Sequence, residues 1–366
     1  MNLIKLIIIN IYVKNYLRVG DKMKAMGFYE NGTSNVIKQI EIDTPVPAPD
    51  QILIKLKMTS VNTLDLMVRR GVPGMNIPFP HVPGTDVYGT IEAVGSNVKK
   101  FYEGEKVISN TVYGCGSCKY CISGHEQLCP SWKCFGLHIN GSYGEFITVP
   151  ERIVSKAPSN FTDEEIAAMP LHASLAWRNI KGLGNATEGE TIVVLGATGN
   201  VGLFAIKFSK ALGLKTIALT RSDEKMQKLR AIGADFVIKQ DNATNIIKEV
   251  MEITNGVGAD IIINSMGNNL GDTVEMAAYN ARIISFGVLA GATSSLNVRR
   301  LYLRNISIFG THNASKSDLD NSMEFAKKKN IKPIIYKSFD IGMAAQAQDL
   351  LESSKAFGKI ILKHWR

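Results

Sequence analysis

One stretch limits the fold more than any other. "TIVVLGATGNVG", from Thr191, places an apolar run before glycines at 196, 199 and 202, and Val201, Ala205, Phe208 and Leu212 then recur at helical spacing. Strand, tight turn and helix in direct succession are the opening unit of a parallel sheet that binds a dinucleotide. Gly196 and Gly199 allow the backbone to turn sharply and approach a pyrophosphate, whose charge sits at the N-terminus of the following helix; Gly202 lets that helix pack against the strand. Thr198 and Val201 complete the candidate contacts of the turn.

About twenty residues on, where an NAD site carries an acid for the ribose hydroxyls, the second strand ends "IALTRSDEK". Thr220 takes the acidic position, Arg221 and Ser222 follow, and Lys225 is close by. No carboxylate there repels a 2′-phosphate and two cations can hold one, so the expected cofactor is NADPH.

Around this unit the segments "KTIALT", "ADFVI", "ADIIINSMG" and "ARIISFG" alternate with helix-length spans, which extends the parallel α/β sheet. Upstream the texture differs: "QILIKLKMTSVN" and "YGTIEAVGSNV" are short apolar stretches broken by Gly, Pro and Asn, as in a small β-rich barrel. Toward the end, "KPIIYKSFD" and "GKIILKHW" are again strand-like. The expected division is a β-rich domain over 23–165, a Rossmann-type cofactor domain over 166–312 and a C-terminal segment, 313–366, returning to the first domain. At 366 residues the chain is long enough for two cores.

Four of five cysteines, Cys115, Cys118, Cys121 and Cys129, fall in one lobe, about 113–134, with the spacing C-x2-C-x2-C-x7-C. Clustered cysteines fit a metal site in a reducing compartment, hence a cytoplasmic protein, better than a disulfide framework. Four thiolates favour tetrahedral zinc; an iron–sulfur cluster is the rival, although its run has a last gap of three rather than seven. A closed thiolate set leaves no position for water or substrate, so the ion would staple a loop. Cys134 lies outside the spacing and reads as a small packed hydrophobe.

The formal charge of +9 forms no Lys/Arg block, and Lys5, Lys14, Arg18 and Lys22 against Asp21 place +3 of it before Met23. A phosphate-bearing small ligand accounts for the remainder, with no nucleic acid required. "MNLIKLIIINIYV" is too short to span a bilayer and is followed by no small-residue cleavage site, so no membrane partner is expected, and residues 1–22 read as an extension outside the fold.

The glycine turn and the cysteine lobe, with "VPGTDVYGTIEAVGSNV" upstream and "GKIILK" at the end, resemble the medium-chain dehydrogenase/reductase superfamily over about Met23 to Lys363. The resemblance implies a GroES-like catalytic domain beside the Rossmann domain, one structural zinc per subunit, and a homodimer or homotetramer. Alcohol dehydrogenases of this family hold a second, catalytic zinc. Aligned with that ligand set, this chain has Asn62 at the cysteine, Thr85 at the histidine, Asp86 at the following glutamate and Leu171 at the third ligand, beside His172. An amide, a hydroxyl, one carboxylate and a leucine do not assemble a zinc site.

"SVNTLDLMVRRGV", "VPGTDVYG" and "MPLHASLAW" are similar to regions of the zinc-independent quinone and enoyl reductases of the superfamily. That similarity implies hydride transfer from NADPH to a quinone or an α,β-unsaturated carbonyl, an enone or enoyl thioester. Asn62 would face the nicotinamide and the reacting oxygen, and Asp65 would brace that loop. Leu175 replaces the threonine that commonly touches the nicotinamide. His172, Tyr88, His81 and Arg69 are further candidates for which a structural role is the simpler reading. Two alternatives accompany this expectation: an alcohol dehydrogenase with an unconventional second metal on Asp86, His81 or His172, and a non-enzymatic NADPH-binding sensor or structural protein.

Overall fold

The computed structural model of the chain describes residues 20–241 and 245–365. Most of the expected extension therefore lies outside the described residues. Its last residue does not stay apart from the fold: Lys22 opens the strand Lys22–Gly27, in register with Asp43 of Lys38–Asp43, and its amine meets the Asp43 carboxylate at 2.6 Å. The paired backbone begins one residue before Met23.

Two larger sheets organise the molecule. In the six-stranded sheet every pairing is parallel, with the order Phe236–Lys239, Lys215–Thr220, Thr191–Val194, Ala259–Asn264, Ala277–Ser285 and Ser307–Gly310. Its central strands are apolar at nearly every position because helices cover both faces. Alternate side chains enter different cores: Val193, Ile217 and Ile262 on one face, Ile192, Ala218 and Ile261 on the other. The chain order reverses on either side of Thr191–Val194, so a crevice opens at the carboxyl end of that strand.

The other sheet is mostly antiparallel and runs Ile335–Asp340, Lys359–Lys363, Gln51–Ser60, Tyr88–Val94, Lys106–Ser109 and Val154–Lys156, with Phe146–Pro150 also on Gln51–Ser60. It wraps a core that includes Ile52, Ile54, Val107 and Val149.

The return of the chain is staggered relative to the expected 313–366 segment. Helix Lys316–Lys329 stays with the parallel sheet, where Leu319, Met323 and Ala326 share a core with Ile180 and Phe208; the backbone rejoins the barrel at Ile335–Asp340. Helix Asp163–Ala167 straddles the expected 165/166 boundary. Asp163 fastens this junction to the barrel sheet, accepting from Lys57 at 2.8 Å, from Lys106 at 3.1 Å and from the Tyr88 hydroxyl.

Candidate active site and metal centre

The glycine turn lies at the crevice. Gly196 has φ +69°, and a Cβ there would come within 2.3 Å of Ser265 Oγ. At Gly202 a Cβ would come within 2.7 Å of Ala197 Cα, so the helix Asn200–Ala211 packs onto its own turn only with glycine at that position. Gly199 is the N-cap residue and offers no side-chain oxygen, which leaves the first N–H groups of this helix open to an anion. The residues present thus fit a dinucleotide pyrophosphate.

A cleft of about 1020 Å³ runs past this turn between the two sheets; Gly196, Thr198 and Gly199 line its middle, and Thr220, Arg221, Ser222 and Lys225 line one end. Two of the sequence expectations change. Val201 packs against the core beneath the helix rather than lining the cleft. Lys225 is engaged: its ammonium donates to the carbonyls of Ser354 at 2.9 Å and Ala356 at 3.3 Å, which ties the cofactor sheet's second helix to the loop before the last strand. Arg221 is exposed at the cleft.

At the other side of the cleft is a buried polar centre assembled from four parts of the chain. Lys359, the first residue of the last strand, is 1% exposed. Its ammonium donates to Asn62 Oδ1 at 2.7 Å, to His172 Nδ1 at 2.9 Å and to Asp86 Oδ2 at 3.3 Å. Asn62 Nδ2 donates to the same Asp86 oxygen at 2.9 Å, Ser60 Oγ donates to it as well, and the Leu171 N–H donates to Oδ1 at 2.9 Å. Burial opposes ionisation of Asp86, but Lys359 foremost, with the Ser60 and Asn62 hydrogen bonds, outweighs it and holds the carboxyl below the usual range. Burial lowers Lys359, against the pull of Asp86. Burial and then the Lys359 charge press His172 down to about 3, so its imidazole is neutral.

Asn62 also opens helix Thr63–Arg70, and its N–H donates to Asp65 Oδ2 at 2.8 Å. Asp65 is fully buried; it accepts from the Tyr143 hydroxyl at 3.1 Å and from Thr85 Oγ1 at 3.3 Å. It does not border the cleft: it fixes the loop that carries Asn62, which does. Leu175 is buried. The other candidates have structural partners. Tyr88 is bound to Asp163, His81 Nε2 faces Gly136 O at 3.1 Å, and Arg69 donates to Gly32 O, Gln348 and Glu352.

No sequence motif singles out Lys359. A signal was present, since a lysine heading the otherwise apolar run "KIIL" breaks the pattern of a buried strand. Its partners are 297 and 273 positions away, and no local rule connects them.

The four lobe cysteines converge: their Sγ atoms all lie within 4.8 Å of one another. Cys118 and Cys121 are 3.5 Å apart and Cys115 and Cys121 4.0 Å, close to the ~3.8 Å edge of a tetrahedron with ~2.3 Å zinc–sulfur bonds. The N–H groups of Cys115 and Ser131 donate to Cys129 Sγ, as thiolate ligands favour. A Cβ on Gly114 would sit 2.4 Å from Cys121 Sγ, so the backbone is built to pass close to the set. Glu126 and Arg152 brace it: Glu126 accepts from the Gly114 N–H and from Arg152, and Arg152 Nη2 donates to Gly114 O. Among the described residues no other group of three or more His, Cys, Asp or Glu converges in this way.

A parallel dinucleotide-type sheet, a barrel and a cleft between them with a buried polar floor define a two-domain oxidoreductase. Models of the alcohol dehydrogenase GroES-like domain and of the zinc-binding dehydrogenase domain match residues 48–159 and 200–328. The chain belongs to the medium-chain dehydrogenase/reductase superfamily. It is 28% identical over 335 residues to an acryloyl-coenzyme A reductase of Sulfurisphaera tokodaii, covering 91% of this chain and 98% of that one. It is also 28% identical over 351 residues to a quinone oxidoreductase of Mus musculus, covering 93% and 97%. A solved NAD-dependent alcohol dehydrogenase superposes with TM-score 0.85 at 31% identity, covering 93% of this chain and 99% of that one. Among the described residues no helix is long and apolar enough to cross a membrane.

Proposed function

We propose that the chain is an NADPH-dependent reductase of α,β-unsaturated carbonyls or quinones, with zinc in the cysteine lobe and no metal at the reacting carbon. The observation that carries this reading is the Lys359 ammonium. It lies between Asn62 and Asp86, the positions that the family likeness assigns to the catalytic-zinc region. A second cation there would sit against a buried positive charge in a low-dielectric site, and Asp86 already accepts four donors.

Oxidising an alcohol requires an alkoxide near neutral pH, a task for which zinc lowers the pKa of bound water by about 9 units. Reducing a conjugated carbonyl places the charge on a delocalised oxygen, which one or two hydrogen-bond donors can stabilise. When bound, NADPH would supply the hydride. The chain's own residues would place the substrate: Asn62 and His172 at the floor of the cleft, with Asp65 holding the Asn62 loop in position. The acryloyl-coenzyme A reductase and quinone oxidoreductase relatives support this chemistry. For the cofactor, Thr220 in place of an acid and Arg221 at the cleft favour the 2′-phosphate of NADPH. A small-molecule substrate, a homodimer or homotetramer and a cytoplasmic location belong to the same proposal.

The test combines a quinone, enone and enoyl-thioester panel with zinc analysis of the same sample. One zinc per subunit with NADPH oxidation is the expected result. Two zinc ions with alcohol oxidation would replace the reading with a metal alcohol dehydrogenase. Cofactor binding with no turnover across the panel would favour a sensor or structural role.

A further inference from the structure

We propose that His172 is a catalytic residue that donates its Nε2 proton to the substrate's carbonyl oxygen, with Lys359 behind it as the proton source. This rests on the reductase reading above and assigns the acid that reading lacks.

The argument begins with the tautomer. Lys359 Nζ lies 2.9 Å from His172 Nδ1, and Asp86 Oδ2 and Asn62 Oδ1 lie within 3.3 Å of the same ammonium. A carboxylate at that distance favours the charged amine, and a charged amine can only donate, so Nδ1 accepts and the imidazole proton resides on Nε2. The amide of Asn62 has one orientation consistent with its neighbours: its NH2 donates to Asp86 and Ser60 O, and its oxygen accepts from Lys359. Among the described residues Nε2 has no hydrogen-bond partner, and His172 lines the cleft together with Asn62 and Gly196. A neutral imidazole is therefore held with its one N–H free on the side where a substrate binds. Lys359 on the last strand and Asp86 in the loop before Tyr88–Val94 are the charged groups that act on it.

The chemistry balances. When bound, the dinucleotide would supply the hydride, with its electron pair, for the new C–H bond at the substrate's β-carbon. The carbon–carbon π pair shifts to the α-carbon and carbonyl carbon, and the carbonyl π pair settles on oxygen. His172 Nε2–H bonds to that oxygen as the charge develops and passes its proton to it. Nδ1 takes a proton from Lys359 in the same motion, so neither an imidazolate nor a doubly charged site forms. The products are a neutral amine, a neutral imidazole of the other tautomer and an enol, which tautomerises to the saturated carbonyl. Solvent in the cleft reprotonates Nε2, and Nδ1 returns its proton to Lys359.

Two measurements test this. In protein labelled with 15N-histidine, the His172 Nδ1 shift should be that of an unprotonated nitrogen and Nε2 that of a protonated one at neutral pH, without substrate or cofactor. The reverse tautomer, or an imidazolium at neutral pH, overturns the proposal regardless of the reaction. In steady-state kinetics with the best panel substrate, His172→Ala should lower kcat about 100- to 1,000-fold, the usual effect of one lost oxyanion donor. His172→Gln retains an N–H donor and an acceptor for Lys359 but cannot relay a proton. It should recover part of the loss and lack the wild type's solvent deuterium isotope effect on kcat. Wild-type kcat in both variants, with folded protein and unchanged NADPH affinity, refutes the role. A wild type inactive on the whole panel refutes the reductase reading instead, with the tautomer result standing apart from it.

Discussion

At the residue scale, the polar centre is an asymmetric pair. Asp86 has four donors, whereas among the described residues the ammonium of Lys359 has Asp86 as its only anionic hydrogen-bond partner. Removing the carboxylate leaves an uncompensated buried cation, a loss of about 3–5 kcal/mol in comparable sites. Asp86→Leu should therefore destabilise the protein more than Lys359→Met, and denaturant melts of the two variants and their double mutant measure the difference; equal losses would contradict the asymmetry. Asp65 gives a pH signature. Burial lifts its carboxyl to about 7, against the Asn62 N–H and the Tyr143 hydroxyl, which lower it. The folded state thus holds a proton that an unfolded aspartate, near 3.8, has released. Its contribution to stability is complete below about 4 and is lost as pH rises toward 7. Asp65→Asn should flatten that limb of a stability–pH curve, and a variant that still follows the wild-type slope would rule Asp65 out as its source. Asn62 and Asp65 could be named because the stretch that carries them resembles a region of the superfamily's reductases. Lys359 and His172 could not be linked, since their contact exists only after two distant segments have packed.

At the scale of elements, the glycine turn was the most legible part of the chain. The positive φ of Gly196 and the close approaches at Gly199 and Gly202 answer to geometry within one strand–turn–helix unit, and sequence records such local geometry directly; the crowding of Gly196 by Ser265 does not belong to that unit. Gly202→Ala should abolish dinucleotide binding through the 2.7 Å approach to Ala197, read as loss of the thermal shift induced by NADPH. Lys225 was legible only as a cation near the right place. Its engagement with Ser354 and Ala356 comes from a loop some 130 positions later, beyond the reach of any local rule. The cysteine lobe was readable as a ligand set, but its bracing by Glu126 and Arg152 was not. Cys115→Ser with Cys118→Ser should release zinc and lower Tm while leaving the NADPH-to-NADH ratio of kcat/KM unchanged. A fully stable, zinc-bound variant would sink that assignment.

At the scale of the whole molecule, the two sheets are joined by few elements, and Asp163 clamps the first of them. Burial resists its ionisation, yet Lys57, Tyr88 and Lys106 together lower its carboxyl to about 2. The clamp's contribution is present above the ordinary 3.8 and is lost as pH falls toward 2, so Asp163→Asn should narrow the stability gap between pH 5 and pH 2.5 in thermal melts. The alternation of sheet types was legible because each imposes its own period on the chain. The staggered return was not, because helix Lys316–Lys329 chooses its sheet through distant contacts, its apolar packing and the Arg178–Asp318 ion pair. That return carries a cost in time. The barrel's central strand, Gln51–Ser60, is made early, yet its edge partner Lys359–Lys363 leaves the ribosome only after the entire parallel sheet has been synthesised. Until then Met58 to Ser60 have no partner on that edge, and Asp86 lacks its cation. During that interval the cofactor domain is already free to fold while the barrel strand still lacks its last partner, which exposes an edge to mispairing.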